Sequence, residues 1–379
     1  MSLTKYTLGD IALSFSYGSM PKEDDLCEEG YPVFSGYRTV GYSKIYNINK
    51  RSLVVVARGV GGTGNVEIAE EKTFLTNLSI AIRINEELAD IDYLKYYLNA
   101  QGLRYLDTGA AQSQITINNL RHHKVFIPSI DEQKKIAAII TTYDKLVKTN
   151  NKRIKVLEKM AENLYKEWFV RFRFPGHKAV AIENGIPVGW KVCRFSQIAN
   201  ILSGGTPNTE NDEYYGGTIP FYTPKDSSDN YYVFETVTNI TEDGLNHCNS
   251  QLYPKDTIMI TARGTVGNLN LLAVPMAMNQ SCYAINSDVI KSQLFLYFLI
   301  KREVTKLKKV ASGGVFDTII INTFDHIKVT VPTDDIIDRF DRTVTPIINE
   351  SYALQKQNMN LKKQRDLLLL RLMSGKLEV

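Results

Sequence analysis

Two stretches of this 379-residue chain carry apolar side chains at alternating steps of four and three. In the first, from Asp131 to Arg173, the seam is Ile136, Ile140, Tyr143, Val147, Asn150, Ile154, Leu157, Ala161, Leu164 and Trp168. A seam kept over roughly four heptads predicts a long helix that buries one stripe against a partner helix. Asn150 is its one clearly polar member, the kind of residue that fixes register at some cost in stability. The second stretch runs from Asp334 to Met373, with Phe340, Val344, Ile347, Ser351, Leu354, Asn358, Leu361, Arg365, Leu368 and Leu372 in the equivalent places. Ser351, Asn358 and Arg365 interrupt this seam, and Pro346 inside it is expected to kink or delay the helix. Each helix of roughly 40 residues would be about 60 Å long at ~1.5 Å per residue. The obvious partner of each apolar stripe is the other helix, running antiparallel; the alternative is that each helix folds onto its own domain.

Outside these stretches the pattern shortens to strands. "SLVVVAR", "LSIAIRI", "DTIMITAR" and "HIKVTVP" are rich in β-branched residues and bounded by Gly, Pro and Asn. The segments also recur in order. "LGDIA" at Leu8 returns as "FSQIA" at Phe195, "VVVARG" as "IMITARG", "TNLSIAI" as "MNQSCYAI", and "DYLKYYL" as "LFLYFLI". "QITINNLRHHKVFIP", ending at Pro128, returns as "TIIINTFDHIKVTVP", ending at Pro332. One match is chance, but five in the same order are a duplication. The predicted fold is therefore α+β: two similar mixed α/β domains joined by two long antiparallel helices, as a pseudo-twofold internal repeat. The expected boundaries are 1–130 and 174–332 for the globular parts, and 131–173 and 333–379 for the helices.

Gly59-Val60-Gly61-Gly62-Thr63-Gly64 is a literal GxGxxG after a strand, and would suit a dinucleotide or a methyl donor if a helix came next. The residues beyond it, "NVEIAEEKTFLTNLSIAIRI", read instead as strands. The second copy, "RGTVGNL", keeps Arg-Gly and Gly-Asn but loses the spacing. The stretch is thus a strand–turn–strand loop, with Arg58 and Arg263 at the equivalent place in each copy. Two similar domains at fixed spacing suit a partner that itself repeats, and duplex DNA is the obvious one.

Composition narrows the picture little. Net charge is +4, yet 131–173 holds eleven Lys/Arg against six Asp/Glu, which fits a solvated helix face or an acidic partner. No apolar run approaches the roughly 18 residues of a membrane span. Cys27, Cys193, Cys248 and Cys282 are scattered, so neither a metal site nor a disulfide framework is expected, and a reducing cytoplasm fits.

"DEQKKIAAIITTYDKLVKTNNKRIKVLEKMAENLYKEWFVRFRFPG", then "ENGIPVGWKVCRFSQIA", then the terminal "LLLLRLMSGKLEV" resemble the specificity (S) subunit of Type I restriction-modification systems. The resemblance covers the whole chain. It implies two variable target-recognition domains, each reading half of an asymmetric bipartite DNA site, and a non-catalytic chain that binds no cofactor. It further implies two adenine-modification subunits using S-adenosylmethionine, and ATP-driven restriction subunits, as partners. No Asn/Asp-Pro-Pro-Tyr/Phe tetrapeptide and no GxxxxGK[ST] loop occurs in the sequence. Two rival readings remain: a methyltransferase using Gly59–Gly64, and a scaffold whose domains grip a symmetric protein.

For DNA contact the candidates are side chains that bond to base edges or phosphates. In the first domain they are Tyr37, Arg38, Lys44, Arg58, Gln112, Ser113 and Gln114; in the second, Tyr222, Lys225, Arg263, Thr265 and Ser312. Arg58 and Arg263 suit phosphate contacts or internal ion pairs equally. Val147, Asn150, Ile154, Leu157, Leu354 and Leu361 belong to the helical strut. Leu164, Trp168 and Phe169, with Leu368, Leu372 and Met373, suit either a subunit interface or packing against the domains. His122, His123 and His326 are expected to be structural.

Overall fold

The computed structural model describes residues 2–36, 38–59, 62–108, 114–310, 318–373 and 377. By internal contact the chain divides into two units, Met1–Lys148 with Met359–Val379, and Thr149–Asn358. Each long helix is therefore shared, one part packed in each unit.

The first unit centres on a four-stranded antiparallel sheet, in the order Ala12–Tyr17, Ser79–Ile84, Ser52–Val56, Val66–Ala69. Both "SLVVVAR" and "LSIAIRI" are strands, and Ser52–Val56 is buried along its whole length. Beside it lies a smaller sheet, Leu26–Cys27, Arg38–Ser43, Tyr31–Ser35, Phe74–Leu75, the last pair parallel. The first strand, Thr4–Thr7, pairs with Lys124–Ile127, closing the domain at its two chain ends. Helix Ile91–Gln101 covers the main sheet with Tyr93, Leu94 and Leu98.

The second unit repeats the plan. Its main sheet runs Asn200–Ser203, Cys282–Asn286, Ile258–Thr261, Leu269–Leu272, with an added parallel strand, Tyr232–Val233, at the edge. Lys191–Arg194 pairs with Lys328–Val331, as Thr4–Thr7 does with Lys124–Ile127. Helix Gln293–Val310 takes the place of Ile91–Gln101. Two close backbone approaches are duplicated as well. An ideal Cβ on Gly18 would lie 2.0 Å from the Thr76 carbonyl oxygen, and one on Gly204 2.4 Å from that of Met278.

The long helices are Ile130–Tyr165 and Asp334–Met373. The first starts with a capping box: the Ser129 N–H donates to the Glu132 carboxylate at 3.2 Å and the Ser129 hydroxyl accepts from the Glu132 N–H at 3.4 Å. The second comes after Pro332-Thr333, with Asp334 and Asp335 favourably placed in its first turn. It is already helical at Asp334 and runs through Pro346, so the expected delay does not occur; Pro346 is exposed. The first helix, by contrast, stops short of the predicted end at Arg173. It passes into a π-turn at Lys166–Val170, and Phe172 takes φ +57°. That left-handed conformation is unusual for a bulky residue. It is held by the Phe172 ring, edge-on to Trp190 at 5.3 Å.

Within each unit the two helices run antiparallel, and the heptad seam is the buried face. In the first unit Ile136 and Ile140 share a core with Leu372 and Leu368, and Val147 is buried. In the second, Ile154 and Leu354 are buried and Ala161 and Phe340 share a core; Leu157 in the second unit and Leu361 in the first are half-buried. The polar interruptions meet polar partners. Arg365 donates to Asp144 at 2.5 Å, and Asp144 also accepts from the Tyr96 hydroxyl. Asn150 donates to Gln357 at 2.9 Å and Asn358 at 3.0 Å, while Asn358 donates to Asn151 at 2.9 Å. Ser351 donates to Glu158 at 3.3 Å.

The apolar clusters at the helix ends are core. Trp168 and Phe169 are 7% and 4% exposed and pack on Phe340, with centroids 5.8 and 4.9 Å away. Leu164 packs on the same core, and Leu368, Leu372 and Met373 on that of the first unit. For Trp168, Phe169 and Leu372, which are buried, a subunit-interface role is corrected to internal packing; Leu164, Leu368 and Met373 are half-buried against the same cores.

Candidate nucleic-acid interface

Each unit turns its Arg-Gly hairpin out of the main sheet at the same place. In the first, Val55 pairs with Val66, so Gly59–Gly64 lies in a hairpin between antiparallel strands, with Val60 and Gly61 outside the described residues. In the second, Ile260 pairs with Leu269 across the turn that holds Arg263. No helix N-terminus comes directly after either turn, so the phosphate cradle of a dinucleotide fold is not formed.

The backbone around the two arginines is fastened identically. The Ala57 N–H donates to Leu78 O at 2.8 Å and Ala57 O accepts from the Ile115 N–H at 2.9 Å. In the second unit the Ala262 N–H donates to Ser281 O at 2.8 Å and Ala262 O accepts from the Ile319 N–H at 3.0 Å. Arg58 and Arg263 thus project from a rigid strand end, both exposed, and among the described residues neither has an ion-pair partner. The internal ion pair that the sequence allowed is not formed among the described residues. An exposed guanidinium with no carboxylate beside it keeps its five donors for an incoming acceptor.

Neighbouring loops complete each end. Gln114 is half-buried, and its N–H donates to Asp107 at 2.7 Å one residue before Ile115 meets Ala57. Arg38 is exposed at the tip of the Tyr31–Ser35/Arg38–Ser43 hairpin. That tip is tied to the same edge, since the Ser79 hydroxyl donates to Gly36 O at 3.4 Å. The first unit therefore brings together Arg38, Arg58 and Gln114. In the second, the Thr265 hydroxyl donates to Pro224 O at 3.4 Å, which sets Lys225 beside Arg263 and Thr265.

Other candidates fall elsewhere. Lys44 lies just past the far end of its six-residue strand, about 20 Å from Arg38 at ~3.3 Å per residue. Its ammonium donates to Asp24 O at 2.8 Å. Tyr222 is corrected: it is fully buried and its hydroxyl donates to Asn270 at 2.9 Å, so no surface remains for a base or phosphate. Tyr37, Gln112, Ser113 and Ser312 lie outside the described residues. His123 is structural, its ring nitrogens bonded to the Tyr105 hydroxyl at 2.7 Å and Gln101 at 3.0 Å; burial pushes its pKa down.

Two basic residues beside the turns escaped the sequence pattern: Arg104, next to Gly64, and Lys308, across Gly267. Their signal was weak because they sit just past or inside helices the repeat aligns only loosely, and contact with a turn some 40 residues away leaves no local periodicity.

Among the described residues no helix is long and apolar enough to cross a membrane. A family model for the Type I restriction modification DNA specificity domain matches twice, at residues 3–159 and 187–362. The HindI specificity subunit of Haemophilus influenzae is 27% identical over 327 residues, covering 70% of this chain and 71% of that protein. The MjaIX specificity subunit of Methanocaldococcus jannaschii is 26% identical over 300 residues, covering 76% and 69%. The crystal structure of a Type I restriction-modification S subunit from M. genitalium has the same fold, with a TM-score of 0.63 at 18% identity over 98% of this chain and 96% of that one.

Proposed function

Because this chain belongs to the Type I restriction-modification DNA specificity family, we propose that its two units read the two halves of an asymmetric bipartite DNA target. The observation that carries this is the duplicated turn. Arg58 and Arg263 leave equivalent strand ends on the same backbone bonds, but their neighbours differ: Arg38 and Gln114 in one unit, Lys225 and Thr265 in the other. Equivalent arginines position the units on the phosphate backbone, and unlike neighbours read unlike bases.

The chain itself performs no chemistry. S-adenosylmethionine and ATP belong to partners, two adenine-modification subunits and the motor-nuclease restriction subunits. The long helices set the gap between half-sites and recruit the modification subunits. In the first unit the helix pair exposes Ile139, Leu146, Leu367 and Leu370, which suits protein contact. The whole assembly works in the cytoplasm.

The test is to sequence methylated adenines in a host carrying this chain with its modification subunit. A single bipartite motif is expected, and a heptad inserted in both helices widens its gap while leaving both halves unchanged. Methyl transfer by the isolated chain, or DNA binding that never resolves to one motif, overturns the proposal.

A further inference from the structure

At each duplicated turn a glycine lets a second basic residue approach. Gly267 has φ +75°, and an ideal Cβ there would stand 2.6 Å from Lys308 Cε, 2.7 Å from Val304 Cγ1 and 3.2 Å from Lys308 Nζ. Lys308 therefore lies directly across the turn that carries Arg263. In the first unit Gly64 has φ +91°, and its ideal Cβ would stand 2.7 Å from the Arg104 nitrogen and 3.1 Å from Arg104 Cα. Any side chain at either glycine would push the basic residue away, and positive φ disfavours one in any case.

The two residues reach their turns from different local structure. Lys308 is in the last turns of helix Gln293–Val310, whereas Arg104 opens a short 3-10 turn after helix Ile91–Gln101. The duplication has a basic residue beside this glycine in both copies, through a change of residue type and of backbone: Lys308 approaches with its side chain, Arg104 with its backbone. Among the described residues none of Arg58, Arg104, Arg263 and Lys308 has an ion-pair partner. Partial burial lowers the Lys308 pKa with no counter-charge opposing it, so its amine gains from an incoming anion.

We infer that Arg104 and Lys308 contact backbone phosphates, each closing with Arg58 or Arg263 on the DNA strand at its own turn. This rests on the DNA-reading role proposed above. Two cations beside one turn suit a phosphate better than a base edge, since phosphate contact needs positive charge but no particular donor–acceptor pattern.

The experiment uses the full chain assembled with its modification subunit, as wild type, Arg104→Gln, Lys308→Met and the conservative Arg104→Lys and Lys308→Arg. Affinity is measured from 50 to 200 mM salt on a duplex bearing the methylated motif and on an unrelated duplex. Each neutral variant should lower the slope of log K against log salt by about 0.9, so that affinity lost over this range shrinks about 3.5-fold, on both duplexes alike. The conservative variants should keep the wild-type slope, and the methylated motif should not change. Met keeps the aliphatic stem that packs over Gly267, which separates loss of charge from loss of packing. An unchanged slope in both neutral variants, or a changed motif, overturns the inference. A wild-type complex with no preference between the duplexes overturns instead the proposed function, while the slope is still read on the unrelated duplex.

Discussion

Replacing Phe169 by alanine separates a core from an interface. The ring is 4% exposed and lies within 4.9 Å of Phe295 and Phe340, 5.1 Å of Tyr165 and 6.0 Å of Trp190. Truncating a phenylalanine so enclosed costs about 3–5 kcal/mol, the lost transfer energy plus the cavity left behind. With a urea dependence of ~3 kcal/mol/M for a unit of this size, the midpoint should fall by about 1–1.7 M. The assay is built in: Trp168 and Trp190 are the chain's two tryptophans, both are in the second unit, and both pack on Phe169. Their fluorescence reports unfolding of that unit alone. If the isolated Phe169→Ala chain unfolds within about 0.3 M urea of wild type while its modification subunit binds more weakly, the ring belongs to an interface and the packing argument is wrong.

Asn150→Leu should destabilise the second unit by about 1–3 kcal/mol, because the Asn358 carbonyl loses its donor while buried; adding Asn358→Leu should recover part of this, as a thermal double-mutant cycle would record. Glu158 is buried, and burial raises its pKa against opposing help from the Tyr231 N–H and Lys301. A carboxyl whose folded pKa exceeds its unfolded one loses stability as pH rises above about 4.5 and until the folded pKa is passed. Glu158→Gln should therefore gain on wild type in urea midpoints as pH rises above about 4.5; a gap that is constant with pH refutes the assignment. Gly18→Ala should cost about 1–3 kcal/mol in the first unit, since the new methyl would meet the Thr76 and Leu75 carbonyls at 2.0 and 2.6 Å. Hydrogen exchange at Ser79–Ile84 would show it, and unchanged protection would refute it.

The elements, the duplication and the seam are legible from the residues alone. These depend on local periodicity and on order along the chain, and Ile136, Ile140, Ile154 and Phe340 are buried where the heptads put them. The sequence also settled the glycine stretch, because two copies of one turn expose which residues the turn needs. Whatever depends on a partner distant in sequence came only with folding. Arg365 and Asn358 looked like breaks in a seam until Asp144 and Asn150 were found opposite them. Tyr222 looked available until Asn270 and the surrounding core enclosed it. Trp168 and Phe169 suited an interface or a core equally by spacing, and the rings of Phe295 and Phe340 against them make them core. Arg104 and Lys308 carried only a weak signal, because what marks them is the absence of a side chain on Gly64 and Gly267, and only folding brings those glycines beside them. A polar residue's role is set by the group facing it, and that group is chosen by packing rather than by spacing along the chain.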